Sequence, residues 1–421
     1  MNFLRRKSRI LLIEPPFYRF FGYQRWHYPV TLTLIASYLQ EQGHDVSIFD
    51  ADQPTPDCRP LIRDEVRQNY GKYEEALATP DHPIWREVRN AIEAYAPEVI
   101  GLTSISPKID AADKIALMAK EMFGDKVTTV LGGPHVQGMM KSHQNYSFGK
   151  HYDHVVHSIP DLTNRKPNKQ LIQSHERYSP NNLTSIMTSF GCPNSCTFCC
   201  HSFDKTMVYR DQGNLTAELA EIHDRFGTAI PLYVMDDCFL SNTKHFETTS
   251  SLFARFGLKF SAGTRVRAIT REKLDLFQQL GGQRLFLGIE SGSQAILDRV
   301  NKRQKIAEVI ERAEWLNAAR IPWTAFLISG FPFETIDDMK MTVELLGKIR
   351  PAFISLNRFT PYPGTQLYDE LYKDKPLRFS ELYQLNKGSC VNLSDEMEDY
   401  IEFMYAHFDA YNQARKTELA A

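Results

Sequence analysis

The chain has 421 residues, of which 43% are hydrophobic, and a formal net charge of −2. That length holds two or three domains of ordinary size, with enough apolar residues for their cores. The near-neutral balance offers no basic face for nucleic acid or an anionic bilayer surface, and no apolar run is long enough to span a membrane.

The opening Arg5-Arg6-Lys7 precedes Ile10-Leu11-Leu12-Ile13, which is too short for a secretory h-region and is broken by Glu14-Pro15-Pro16. Residues 9 to 13 therefore read as a buried first strand. Seven cysteines, an odd number, with no secretory signal point to a reducing, cytoplasmic location. Between this strand and the next helix runs Phe17-Tyr-Arg-Phe-Phe-Gly-Tyr-Gln-Arg-Trp-His-Tyr28, crowded with aromatics. Such a loop can wall a flat ligand or form a satellite core between domains. Leu32, Leu34, Ile35, Tyr38 and Leu39 then recur at helical spacing, and Gly43 stops the helix.

Strand and helix signals keep alternating. Val46 to Phe49 is a second strand ending at Asp50. Residues 60 to 95 are charged and helical. Val99 to Thr103 is a third strand, Ala111 to Phe123 a helix, and Val127 to Leu131 a fourth strand. The alternation predicts a parallel sheet wrapped by helices, with ligands outside the carboxyl ends of its strands. Those ends carry Glu14, Asp50, Thr103-Ser104-Ile105-Ser106 and the turn Gly132-Gly133-Pro134-His135. The two glycines let a backbone approach a ligand closely; His135 reads equally as a packing histidine. There is no Asp-x-His-x-x-Gly, and Asp153-His-Val-Val-His157 runs on into Ser-Ile-Pro-Asp161.

Next comes Ser189-Phe-Gly-Cys-Pro-Asn-Ser-Cys-Thr-Phe-Cys-Cys200, in which Cys192, Cys196 and Cys199 have the spacing C-x3-C-x2-C. Three thiolates on one loop can hold three irons of a [4Fe–4S] cluster and leave the fourth open to a small molecule. The alternative is a structural zinc site with Cys200, His201 or Cys238 as fourth ligand.

Six strand-like runs span the next part: Thr184 to Thr188, Leu232 to Met235, Lys259 to Ala262, Arg284 to Ile289, Thr324 to Ser329, and Phe353 to Arg358. With helices between them they predict a (βα)6 partial barrel, whose site lies at the strand C-termini. The informative residues fall there: the cysteines, then Asp236-Asp237-Cys238-Phe239, Arg265, Gly288-Ile-Glu-Ser-Gly-Ser293, Ile328-Ser-Gly-Phe-Pro-Phe-Glu-Thr335 and Phe359-Thr-Pro-Tyr-Pro-Gly-Thr365. Asp236, Ser291, Ser293 and Glu334 read also as turn or helix-cap residues. In the tail, Ser380 to Leu385 and Met397 to Tyr411 read as helices closing the barrel; Cys58 and Cys390 read as ordinary cysteines.

The cysteine loop resembles the signature loop of the radical SAM enzymes, and the barrel pieces follow in that family's order. The resemblance implies a [4Fe–4S] cluster on Cys192, Cys196 and Cys199 as the catalytic centre, with S-adenosyl-L-methionine (SAM) at the open iron. It places Phe198 against the adenine, Asp236 at the methionine amine and Arg265 at the SAM carboxylate. It places Glu290 and Ser291 near ribose and methionine, and the turn holding Ser329 along the adenine. Arginine suits a carboxylate because its planar fork pairs in bidentate fashion.

The order of pieces over residues 9 to 160 resembles the cobalamin-binding domain that precedes this barrel in one subclass. Gly132, Gly133 and His135 are then its cofactor contacts; an empty support domain is the alternative. The implied architecture is α/β: a Rossmann-like sheet domain over 1–165, a partial barrel over 181–370 and a helical segment over 371–421. The implied reaction is reductive SAM cleavage to a 5′-deoxyadenosyl radical that takes hydrogen from a small organic substrate. Cobalamin-dependent C-methylation is the leading outcome. Dehydration, rearrangement, cyclisation or oxidation without cobalamin are alternatives, and a zinc-bound scaffold a remote one. A flavodoxin or ferredoxin would supply the electron.

Overall fold

The computed structural model describes residues 6 to 420 apart from 159, 201–205 and 388–392; Cys390 and His201 lie outside the described residues. The first sheet has five parallel strands, β1 (Arg9–Glu14), β2 (Asp45–Asp50), β3 (Val99–Thr103), β4 (Thr128–Gly132) and β5 (His154–Val155), in the order β2-β1-β3-β4-β5. Both faces of β1 are covered, which is why its sequence is a continuous apolar run rather than an alternating one. Leu11 and Ile13 join a cluster with Trp85, Ile109 and Ile115; Ile10 and Leu12 join another with Leu32, Leu34 and Leu39. The strand order reverses between β1 and β3, and at such a switch point a crevice opens at the strand C-termini.

The two faces are covered unequally. Helices Pro83–Tyr95 and Ile109–Phe123 pack on the Leu11 side. On the Ile10 side lies one long helix, α1 (Val30–Glu41), and loop residues Leu162, Ile172 and Tyr178 cover the rest. After β5 the chain passes through short 3-10 turns at Lys169–Leu171 and His175–Arg177 rather than returning as a long helix.

The second sheet has six parallel strands in chain order: β6 (Ser185–Ile186), β7 (Leu232–Val234), β8 (Phe260–Thr264), β9 (Gly282–Glu290), β10 (Trp323–Ser329) and β11 (Phe353–Arg358). The expected partial barrel is present. Its first strand is shorter than the run Thr184 to Thr188, because Ser189–Phe190 breaks off to pair antiparallel with Val208–Tyr209. That pair brackets the cysteine loop at its base.

Two expectations are corrected. Gly-Gly-Pro-His is not a free turn but the start of helix α2 (Pro134–Ser142), with Pro134 in the first helical turn, where a missing N–H costs nothing. Ser380 to Leu385 is not a helix: only Phe379–Glu381 makes a 3-10 turn, because Tyr383 and Leu385 are drawn into the first sheet's core. The tail is therefore shared between the two halves. Its long helix, Asp395–Ala420, buries Ile401, Met404 and Phe408 in the barrel core.

The halves meet at two backbones. A Cβ on Gly138 of α2 would stand 2.2 Å from the carbonyl oxygen of Pro363, and one on Gly364 would stand 2.7 Å from Gly138 Cα. Gly364 has φ +87° and donates its N–H to Ser142 Oγ at 2.8 Å. Gly138→Ala is therefore expected to destabilise by about 1–3 kcal/mol, as overpacking against backbone does, read as a lower urea midpoint at unchanged slope.

Candidate active site

The cysteine loop is held from beneath by one carboxylate. Asp236, at the end of β7, is 4% exposed. Its Oδ1 accepts from Thr188 N at 2.6 Å, and its Oδ2 accepts from Thr188 Oγ and Ser189 Oγ, both at 2.5 Å. His245 Nε2 lies 3.7 Å from Oδ2. The carboxylate is thus engaged with the chain that leads into the loop, and neither the helix-cap reading nor a free amine acceptor describes it. The Asp236 backbone carbonyl faces Gly263, whose Cβ position would be 3.5 Å away.

From the side, the loop is held by the turn after helix Gln294–Arg299. Thr197 N donates to Val300 O at 3.0 Å and Asn301 Nδ2 to Ser195 O at 2.8 Å. Two of the cysteine sulfurs receive N–H donors: Asn194 Nδ2 lies 3.2 Å from Cys192 Sγ and Arg265 Nη1 3.2 Å from Cys196 Sγ. Burial raises the Cys199 thiol above its ordinary pKa, and the nearby Cys196, Asp237, Cys192 and Cys200 add to it. Among the described residues no three His, Cys, Asp or Glu side chains converge on the position of a single ion. Cys200 faces Pro363 O at 3.7 Å, and Cys238 lies 2.6 Å from Ser241 Oγ and also bonds Cys192. Separate thiols with N–H donors on their sulfurs suit a polynuclear cluster, in which each corner iron takes one thiolate.

Around the loop stand the other expected contacts. Arg265 is 9% exposed and donates to Cys196 and to the Lys302 carbonyl. Glu290 sits where the β9–β10 register shifts, with φ +69°, a left-handed conformation that side chains rarely adopt. The bulge aims its carboxylate at Lys302 Nζ, 2.5 Å away. A Cβ on Gly288 would stand 2.4 Å from Glu290 Oε1 and 2.7 Å from Lys302 Nζ, so a larger residue here would displace this ion pair. Lys302, 4% exposed, was not singled out by sequence; its one signal is its place in the tight Asn301–Arg303 turn, whose flanking residues both have positive φ. It joins Arg265 through its carbonyl to Glu290 through its ammonium.

Ser291 and Ser293 act locally. Ser291 Oγ accepts from Ser293 N at 3.1 Å, and Ser293 caps the following helix. Phe198 packs edge-on to Phe331, with centroids 6.0 Å apart. Ser329 Oγ donates to Glu334 Oε2 at 3.1 Å, and that oxygen also accepts from Gly330 N at 2.5 Å.

Burial pushes the Glu334 carboxyl up to about 8 despite those bonds. The folded protein therefore keeps this proton to about pH 8, whereas the unfolded chain sheds it above about 4.5. Between those values the native state binds more protons, so this group's contribution to stability falls as pH rises. Glu334→Gln, which mimics the protonated form, is expected to flatten that decline. Urea midpoints at pH 5 and pH 9 should show the variant gaining on the parent at the higher pH.

A cavity of about 450 Å³ lies beside this centre. It runs along the Ile10 face of the first sheet, between Ile10, Leu12, Val99, Gly101 and α1, where a helix is lacking. From Ile10 to Glu14 this is a depth of about 13 Å at the strand rise. Its lining includes Gly133 and, from the barrel, Met235, the residue before Asp236. Gly133 has φ +102°, and a Cβ there would stand 2.6 Å from Ser104 N. Gly132 lines the cavity too. His135 does not: it is buried behind, with Nδ1 3.0 Å from Ser106 Oγ and its ring against Phe379. Burial lowers its pKa to about 4.

The aromatic loop divides. Phe17, Phe20 and Phe21 join the first sheet's core, while Tyr18, Arg25, Trp26 and His27 line the cavity. Beneath them lies a buried charge network. Lys108 Nζ is 2.6 Å from Glu14 Oε1 and 2.7 Å from Asp52 Oδ2, and Arg25 Nη1 is 3.2 Å from Glu14. Burial works against the Glu14 charge, but Arg25 and Lys108 outweigh it and hold the carboxyl below its usual range. Asp50, behind them, is raised to about 6, by burial first. Gln137, whose buried Oε1 has no partner, also lines the cavity. The glycine cradle, the apolar slot and this unmet amide fit a large cofactor that carries amides and an apolar tail, as cobalamin does.

Comparison with known proteins follows these lines. Residues 186–346 match the Radical SAM superfamily. The chain is 23% identical to an uncharacterized methyltransferase of Pyrococcus horikoshii, over 81% of this chain and 78% of that one. It is 25% identical to the anaerobic magnesium-protoporphyrin IX monomethyl ester cyclase of Rubrivivax gelatinosus, over 68% of this chain but only 60% of the cyclase's length. Its fold resembles the radical S-adenosylmethionine methyltransferase TsrM of Kitasatospora setae, solved with cobalamin and a [4Fe-4S] cluster bound. There the TM-score is 0.58 at 13% identity, over 86% of this chain and 77% of that one. Among the described residues no helix is long and apolar enough to cross a membrane.

Proposed function

We propose, from the premise that residues 186–346 form a radical SAM domain, that this enzyme cleaves SAM reductively and methylates a carbon of a small organic substrate with the help of cobalamin. Cys192, Cys196 and Cys199 would hold a [4Fe–4S] cluster, which would supply the electron for splitting the C–S bond of SAM, and the cavity would hold cobalamin, which would supply a methyl carrier. The chain's own residues do the rest. Arg265 and Glu290 hold the carboxylate and ribose of SAM, and Lys302 keeps those two side chains in register. Asp236 fixes the base of the cluster loop. The substrate would lie between barrel and cavity, where apolar side chains such as Leu12, Val30 and Met235 would limit access of water to a radical. Phe198, Ser291 and Ser329 border the SAM site in this reading, and Gly132 and Gly133 let cobalamin approach the strand ends.

The observation that carries the proposal is the cavity, whose lining includes both the first sheet and Met235, one residue from the barrel's loop anchor. A cofactor filling it would present one face to the radical site. The resemblance to a cyclase favours a second reading, a ring-forming radical reaction in the same barrel. Cytoplasmic action and a flavodoxin or ferredoxin as electron donor belong to the first reading.

The test is anaerobic reconstitution of the full chain with iron, sulfide and hydroxocobalamin. About four irons per chain are expected, together with a corrinoid spectrum that survives gel filtration and 5′-deoxyadenosine on addition of SAM and reductant. Loss of the corrinoid on the column would overturn cobalamin-dependent methylation, and absence of 5′-deoxyadenosine would overturn both readings.

A further inference from the structure

Among the described residues His27 is the one histidine lining the cavity, and no cysteine lines it. It stands in the loop between β1 and α1, at the carboxyl edge of the sheet. Its Nδ1 lies 2.9 Å from the Tyr28 carbonyl oxygen. A carbonyl can only accept, so Nδ1 carries the proton and Nε2 carries the lone pair.

The carbonyl is itself fixed, because it also accepts from Val30 N at 2.8 Å at the start of α1, and the Tyr28 ring is fully buried. An imidazole held by one nitrogen to a rigid carbonyl, with the other free, is the arrangement of a metal-ligating histidine. Nε2 has no protein partner among the described residues. The other nitrogen bases of the cavity are committed, since Lys108 pairs with Glu14 and Asp52, and Arg25 with Glu14. The apolar slot beside His27 would take the corrinoid's own base and its tail, leaving one axial face of the cobalt toward this loop.

We propose that His27 Nε2 donates its lone pair to the cobalt of a corrinoid bound in this cavity, as an axial ligand. The ligand comes from the β1–α1 loop without the Asp-x-His-x-x-Gly pattern. The inference rests on the cobalamin reading above, and its test separates the two.

The full chain is loaded with hydroxocobalamin, reduced to the cobalt(II) state and examined by electron paramagnetic resonance. One axial 14N splits each cobalt line into three. In protein grown on [15N]histidine, the three lines are expected to become two. The chain has 13 histidines, so His27→Gln assigns the signal: the variant should keep the corrinoid and lose the splitting. Three lines that persist in labelled protein would mean that the nitrogen belongs to the corrinoid's own base. Unsplit lines in unlabelled protein would mean no nitrogen ligand. Either result overturns the assignment and leaves the cobalamin reading standing. A doublet that survives in His27→Gln also overturns it. Failure of the unsubstituted chain to hold corrinoid removes the cobalamin reading, and the assignment with it. Should His27→Gln not fold, the labelled parent still decides between a histidine and any other nitrogen, and among the described residues no other histidine lines the cavity.

Discussion

Replacing Cys196 with alanine is expected to abolish 5′-deoxyadenosine formation while leaving the fold intact. The residue is half-buried, and its sulfur meets the guanidinium of Arg265 at 3.2 Å. Its loss therefore removes an iron ligand and, at the same moment, a contact of the side chain expected to hold the SAM carboxylate. Two remaining thiolates cannot anchor a cubane against exchange, so iron should fall well below about four per chain. The fold should survive because the loop's hydrogen bonds come from Thr197, Ser195, Thr188 and Ser189 rather than from Cys196's side chain. Circular dichroism and a urea midpoint close to the parent's would establish that. A variant that kept full iron and still cleaved SAM would remove Cys196 from the cluster.

Asp236→Ala is expected to have the largest effect on stability of any single change at the site. It deletes a carboxylate that is 4% exposed and leaves Thr188 N and the hydroxyls of Thr188 and Ser189 without their acceptor. Removing one member of a buried, hydrogen-bonded charged group costs about 3–5 kcal/mol. The urea midpoint should drop accordingly, and the folded fraction should retain less iron because the base of the cysteine loop is released. Asp236→Asn keeps one carbonyl acceptor and should lose less. The comparison also separates two roles. If the carboxylate served SAM rather than the loop, Asp236→Asn would weaken SAM binding at unchanged stability.

Much of this architecture was legible because local and tertiary signals agree. The apolar runs at Ile10–Ile13 and Val99–Leu102 mark strands buried on both faces, and Phe353 to Arg358 reads as a strand and is one. The cysteine spacing and the strand-end motifs pointed to the barrel's rim, where the structure gathers Cys196, Arg265 and Glu290. What was hidden depends on distant partners. Asp236 looked like a ligand contact or a cap because Thr188, which occupies it, is 48 residues away. Lys302 shows nothing in sequence until the β9 bulge turns Glu290 toward it. His27 was one ring among many in an aromatic loop, and only the fold sorts Phe17, Phe20 and Phe21 into a core and His27 onto a cavity wall. Helix Pro134–Ser142 was obscured by its own start, since Gly-Gly-Pro reads as a break until the proline is seen at the first helical turn.

The meeting of Gly138 with Pro363 and Gly364 sets how the two halves can move. Sliding motions between domains run through side chains that hop between neighbouring rotamers, and here main chain lies against main chain with nothing to hop. At this spot the halves are held backbone to backbone, while elsewhere they are tied by side chains such as Arg63, which donates to Leu356 O at 2.8 Å and can yield first.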